Sequence, residues 1–237
     1  ASEGNYMKLT DAITNDNEGG LWIGTFYGGV YYVSPIGKRF DSFTTDNGLR
    51  GNVISSFCED HEGNVWVASD DGGIMCYSPK QQAFIEYPHQ DGLSTVNAHA
   101  LALKGSDLWI GTYTRGVYVL NTTTGQLRHY DHNSLRDASS YAICHDSKGR
   151  TWVATMEGFN LYLPETDNFQ HIGATNALAI DIDEDNKHRI WLSTQGAGMW
   201  CYSPEKKEFK QYLHDENDKY SLPSNQVNCT MTDASGR

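Results

Sequence analysis

The sequence predicts an all-β chain built from repeated four-stranded antiparallel sheets. Three observations carry that prediction: a tryptophan that recurs about every 43 residues, a glycine-bearing turn just before it, and a second glycine seven residues after it. Trp22, Trp66, Trp109, Trp152 and Trp191 lie 44, 43, 43 and 39 residues apart. Their contexts align as LWIGTFYGGVYYV, VWVASDDGGIMCY, LWIGTYTRGVYVL, TWVATMEGFNLYL and IWLSTQGAGMWCY. Gly29, Gly73, Gly116 and Gly198 hold the place after tryptophan, while the fourth copy has Phe159 there and Gly158 one position earlier. A repeat of this period marks a repeat architecture, and four short strands per repeat point to β-propeller blades.

Turn chemistry sets the elements in order, as the second copy shows. NVISSFCED reads as the first strand, and HEGN is a hairpin turn whose Gly63 takes the left-handed conformation. VWVAS is the second strand, DDGG the next turn, IMCYSP the third strand and AFIEYP the fourth. The turn signature D-x-x-G begins six residues before tryptophan at Asp16, Asp60 and Asp146. In the fifth copy Asp185 keeps its place and His188 replaces glycine, a residue type that tolerates positive φ better than most. The third copy shortens this turn to KGSD.

Small residues interleave the first strands, with Ala98, Ala100 and Ala102 in the third copy and Ser140, Ala142 and Cys144 in the fourth. They let the innermost strands converge. The tryptophans are read as packing between sheets, each indole N–H requiring a partner. Blades occupy about 6–44, 52–88, 96–131, 139–173 and 176–213 of a single partial propeller over 1–237, and 225–237 starts a sixth. Residues around 225–233 are expected as a lone innermost strand.

Composition narrows the function. Thirty acids against 18 bases give a formal charge of −12, which argues against a nucleic-acid partner because binding phosphates requires a basic face. No stretch approaches 18 apolar residues, and the opening ASEGNYMKL has no apolar core of a signal peptide. The five cysteines (58, 76, 144, 201 and 229) form no CxxC pair and read as buried small hydrophobes. HExxH, GxSxG and P-loop signatures are all missing, and neither a cofactor nor a metal site is expected.

The phrase DNGLRGNVISSFCEDHEGNVWVASDDGGIMCYSPKQQAFIEY resembles the two-component regulator propeller repeat. The matching features are the D-x-x-G turn, the LWIGT-type strand, the glycine seven after tryptophan, and an inter-blade phrase with Gly48-Leu49, Gly92-Leu93, Ser134-Leu135 and Ser221-Leu222. The fourth blade's exit, NFQHIGATNALAI, lacks that leucine. The resemblance implies the periplasmic sensor region of a hybrid two-component histidine kinase anchored in the inner membrane. It also implies seven-bladed propellers in tandem, a homodimeric receptor, an oligosaccharide ligand, and phosphorelay to downstream domains.

Topology places the turn between second and third strands at the same end as the connection to the next blade, and loops so held carry recognition. Those turns present Phe26 and Tyr27, Asp70 and Asp71, Tyr113 to Arg115, Met156 and Glu157, and Gln195. The connections add Arg50, His89, Asn97, His132 and Arg136. A sugar offers apolar ring faces and dense hydroxyls, so a site needs aromatic platforms beside planar hydrogen-bonding groups. Tyr27, Arg50, Asp71, Tyr113, Arg115, Glu157 and Gln195 form the candidate ligand-binding set. Against this stand a propeller glycosidase or lyase, for which Asp71 and Glu157 are the one carboxylate pair worth testing, and a protein-interaction platform. Asp181 and Asp183 in DIDEDNK either line the central channel or bind an ion, or they end a solvated strand.

Overall fold

The structure, a computed structural model, describes residues 10–37, 40–85, 92–173 and 177–233. His89, Gly236 and part of the fourth blade's exit lie outside the described residues. Among the described residues every regular element is a strand. The first sheet holds β1 (Thr10–Asn15), β2 (Leu21–Thr25), β3 (Gly29–Val33) and β4 (Phe40–Phe43). The second holds β5 (Ile54–Glu59), β6 (Val65–Ser69), β7 (Gly73–Ser78) and β8 (Ala83–Ile85). The third holds β9 (Ala98–Lys104), β10 (Asp107–Thr112), β11 (Val117–Asn121) and β12 (Leu127–Tyr130). β13 (Ser140–His145), β14 (Thr151–Thr155), β15 (Gly158–Leu163) and β16 (Asn168–Gly173) make the fourth. β17 (Leu178–Glu184), β18 (Ile190–Gln195), β19 (Met199–Ser203) and β20 (Glu208–Tyr212) make the fifth. Strand order within each sheet follows the sequence. These are five four-stranded β-propeller blades, one for each repeat tryptophan.

The chain divides into two compact units: Ala1–Leu108 with Leu120–Leu127, and Trp109–Val119 with Arg128–Arg237. In the first unit the core between sheets one and two gathers Trp22, Val30, Ile54, Val67 and Met75, with Phe43, Tyr77 and Phe84 against them. In the second unit Trp152, Ala154, Phe159, Ile182, Leu192 and Tyr202 fill the space between sheets four and five.

One interaction ties turn to core. Trp22, Trp66, Trp152 and Trp191 donate their indole N–H to Asp16, Asp60, Asp146 and Asp185 at 2.8–2.9 Å. The aspartate of D-x-x-G is therefore more than a turn former. Its other oxygen accepts backbone N–H groups of the same turn, as when Asp60 takes Glu62 and Asn64 at 2.9 and 3.0 Å. In blades four and five an arginine joins: Arg150 and Arg189 donate Nε to Asp146 and Asp185 and lie 5.2 and 5.1 Å from the rings of Trp152 and Trp191. Burial opposes ionisation of Asp146 and Asp185, but the hydrogen bonds from tryptophan and arginine outweigh it and hold both carboxyls below the usual range. His188 sits at φ 59°, in the conformation its glycine counterparts adopt.

The third repeat breaks this pattern. Its shortened turn puts Leu103 where the aspartate stands, and the buried Trp109 Nε1 has no hydrogen-bond partner among the described residues.

The glycine seven after tryptophan is dictated by the end of the fourth strand and the connection that follows it. Gly29, Gly73, Gly116 and Gly198 have φ between 67° and 77°. A Cβ on Gly116 would run into the Tyr130 carbonyl oxygen. Gly29, Gly116 and Gly198 donate N–H to Asn52, Ala138 and Asn225, pinning each connection to its blade.

Residues 225–233 do not form the expected lone strand. They make one isolated bridge, Gln195 to Gln226, because the described residues offer no continuous partner edge. The segment is nonetheless docked. Val227 N–H reaches the Thr194 carbonyl at 3.0 Å, and Asp181 and Asp183 accept the N–H groups of Thr230 and Thr232 at 2.7 and 2.9 Å. Asp181 thus does for Thr230 what Ser56 does for Leu101 N–H at 3.2 Å. These carboxylates hold backbone, so neither an ion site nor a solvated strand end describes them. Cys76 and Cys201 are buried and Cys58 and Cys144 half-buried, but Cys229 is exposed, contrary to the uniform burial expected.

Truncating Trp109 to alanine should cost about 3–5 kcal/mol, the range for a buried aromatic. Phenylalanine separates packing from hydrogen bonding. Trp152→Phe strips a donor from a buried carboxylate and should cost about 1–3 kcal/mol more than Trp109→Phe, which loses no hydrogen bond. Denaturant midpoints of the two variants check this, and equal losses would contradict it.

Candidate functional site

The turns between second and third strands sort into presenters and anchors. In the first blade Tyr27 is 70 % exposed at φ 62°, a left-handed conformation unusual for a bulky side chain, and its ring meets the edge of Phe26 at 4.3 Å. Among the described residues no hydrogen bond or further ring contact holds the pair down. In the second blade the candidates serve the scaffold. Asp71 accepts the N–H groups of Asn52 and Val53 at 3.2 and 3.0 Å and the Ser69 hydroxyl at 2.7 Å. Burial works against its ionisation, yet those hydrogen bonds hold the carboxyl below the usual range. Arg50 crosses the same turn, donating Nε to the Gly72 carbonyl at 3.3 Å and its terminal nitrogen to the Ile74 carbonyl. Arg50 and Asp71 are brought together as a clasp between the turn and the connection before β5.

In the second unit Tyr113 is 42 % exposed, its ring 6.5 Å from Tyr141. Thr114 beside it takes φ 62° and donates its N–H to the Ser139 hydroxyl at 3.3 Å. Arg115 is exposed, and its carbonyl accepts a hydrogen bond from His129 Nε2 at 2.6 Å, with His129 stacked 4.1 Å from Tyr118. Glu157 pairs with Arg136 at 3.0 Å in an exposed salt bridge. Gln195 is exposed at the end of β18, beside the bridge to Gln226.

Sequence reasoning missed two features. His99 on β9 pairs with Asp70 at 3.2 Å. Burial lowers the imidazole and raises the carboxyl, and Asp11 and Asp71 add to the latter. A single histidine among alanines gave no signal, because its partner comes from a turn about 30 residues earlier. The second is a cleft of about 850 Å³ in the first unit. It runs between the first two sheets from the D-x-x-G turns to Asn47 of the connection, past Trp22, Tyr32, Tyr77, Asp41, Glu62 and Lys80. None of the seven candidates lines it. Among the described residues no His, Cys, Asp and Glu group is arranged to hold a metal ion.

The two-component regulator propeller family matches residues 48–71 and 134–157. At these two spans the chain carries the two-component regulator propeller repeat. Each matched span begins at an inter-blade connection and ends in the turn after the second strand, so both of its ends lie on the candidate loop end. Among solved structures, the extracellular domain of a putative hybrid two-component system from B. thetaiotaomicron matches with a TM-score of 0.71 at 18% identity, over 98% of this chain and 37% of that one. A catalytically inactive virginiamycin B lyase from Staphylococcus aureus, solved with quinupristin, matches at 0.69 and 13% identity, over 94% of this chain and 73% of that one. PorZ of Porphyromonas gingivalis, a surface component of the type-IX secretion system, matches at 0.66 and 18% identity, over 95% and 36%. At these identities the likeness is one of fold, and the chain spans little more than a third of the extracellular domain. No curated protein matches the chain.

Asp71→Ala should lower stability by about 1–3 kcal/mol, since it strands two backbone donors. Tyr27→Ala should leave stability within about 0.5 kcal/mol, as expected of an exposed side chain. Thermal melts of both variants check the division into anchor and presenter. A destabilised Tyr27→Ala with an unchanged Asp71→Ala would reverse it.

Proposed function

We propose that this chain is a ligand-sensing, non-catalytic part of a hybrid two-component sensor, and that it binds an oligosaccharide on the loop end of its blades. The observation that carries the reading is the two-component regulator propeller repeat at residues 48–71 and 134–157. The proposed site residues are Tyr27, Tyr113, Arg115 and Gln195, all exposed, with Glu157 held by Arg136. Arg50 and Asp71 position the loops on which a ligand rests. Tyr113 and Gln195 lie on different blades of the second unit, so a ligand that touches both must be extended. With a net charge of −12 the protein favours a neutral glycan over a sulfated or uronic one.

A sensor role outside the cytoplasm fits the similar extracellular domains, and signal transfer to a kinase belongs to the larger protein. No helix among the described residues is long and apolar enough to cross a membrane. A glycosidase reading gains little from the geometry. Asp71 is engaged by three donors and held ionised, the opposite of what a general acid needs.

Calorimetry of the complete extracellular region against neutral and acidic oligosaccharides tests the proposal. The neutral set should give a binding heat that Tyr113→Ala with Arg115→Ala abolishes while the melting temperature stays nearly unchanged. Undiminished binding by that double variant would place the site elsewhere, and steady turnover of a glycan would overturn the non-catalytic reading.

A further inference from the structure

Trp22 and Trp109 meet aromatic rings on two sides, and the other repeats share parts of the pattern. Within its own sheet the tryptophan lies near a fourth-strand ring: Trp22 with Phe43 at 6.3 Å and 15°, Trp109 with Tyr130 at 6.3 Å and 6°, Trp191 with Tyr212 at 5.4 Å and 30°. Towards the following sheet it receives the edge of a third-strand tyrosine. Trp22 takes Tyr77 at 5.0 Å and 62°, Trp109 takes Tyr162 at 4.9 Å and 72°, and Trp152 takes Tyr202 at 5.9 Å and 68°. In the third repeat Leu120, fully buried, stands at the corresponding position.

Trp191 has the first neighbour and not the second. It is half-buried, where the other four repeat tryptophans are at most 2 % exposed. Over its free side is a cavity of about 470 Å³ lined by Asp183, Arg189, Trp191, Met199, Met231 and Thr232, among others. One wall is residues 230–232 of the docked segment, whose backbone is gripped by Asp181, Asp183 and Gly198 in the way inner strands are gripped elsewhere in the chain.

We propose that this cavity is a docking socket for an aromatic side chain, a tyrosine by the precedent of three blades, carried on the third strand of a further blade of the same repeat whose inner strand is residues 225–232. The interface would continue one already repeated along the chain, which is what selects this occupant over a small ligand. Two methionines give the walls the adaptability to close on a ring. The Arg189 guanidinium, 5.1 Å from the Trp191 ring centroid, holds the floor in place.

The test extends the full chain. Asp233 and Gly236 are in register with Asp60 and Gly63, and with Asp146 and Gly149, so a copy of residues 65–85 or of 151–173 can follow Arg237 directly. Hydrogen exchange is then read at the amides of Thr230, Met231 and Thr232 and at the Trp191 indole. With at least one extension, exchange should slow tenfold or more at all four positions, and alanine in place of the appended tyrosine should reverse the slowing at Trp191. Unchanged exchange with both extensions, folded or not, would overturn the proposal. So would protection that survives the alanine change, because strand pairing alone would then explain it. Protection already present in the unextended chain and lost on dilution would assign the socket to a second copy instead.

Discussion

The hydrogen bond from a buried indole to the aspartate six residues before it organises each repeat that has it. A tryptophan packed between sheets contributes apolar burial, but its N–H would be costly without an acceptor. The D-x-x-G turn supplies that acceptor from the hairpin leading into the tryptophan strand. One carboxylate therefore closes the turn, fixes the indole and sets the register of first strand against second. Every first strand whose register is described bulges at the same place, between Thr10 and Ala12, Ile54 and Ser56, Ser140 and Ala142, and Ala179 and Asp181. The repeat is thus conserved in geometry down to an irregularity.

With order secured at the D-x-x-G end, the other end is free to vary. Its turns carry Phe26-Tyr27, Asp70-Asp71, Tyr113-Thr114-Arg115 and Met156-Glu157 on equivalent backbones. Some of these side chains are used to hold the connection, as Asp71 does, and others face solvent with no task in the fold, as Tyr27 does. That separation is the physical basis for proposing the exposed aromatics and arginine, rather than every polar loop residue, as the recognition surface.

The tryptophan period, the turn glycines and the alternation of strands were legible because each follows from local chemistry within a few residues. The left-handed conformation of His188 was legible for the same reason. What the sequence concealed are contacts whose partners are remote or whose donors are backbone. Asp71 reads as a polar loop residue until Asn52 and Val53 arrive against it, and Asp181 reads as an ion ligand until Thr230 does. Residues 225–233 have the composition of a strand, but a strand also requires an edge to pair with. The indole bond itself was half visible: the spacing of six was plain, while its meaning depended on a hairpin folding the aspartate back beside the ring.

The central claim is that these aspartates act through the indoles, and the third blade provides the internal control. The most direct measurement is the acid titration of the six indole N–H signals by nuclear magnetic resonance. The signals of Trp152 and Trp191 should shift as Asp146 and Asp185 take up protons, at a pH below the usual carboxylate range. Trp109 and Trp200, whose N–H groups are buried without acceptors among the described residues, should stay nearly fixed until the chain unfolds. Six signals that move together, or a Trp109 signal that titrates like that of Trp152, would contradict the account.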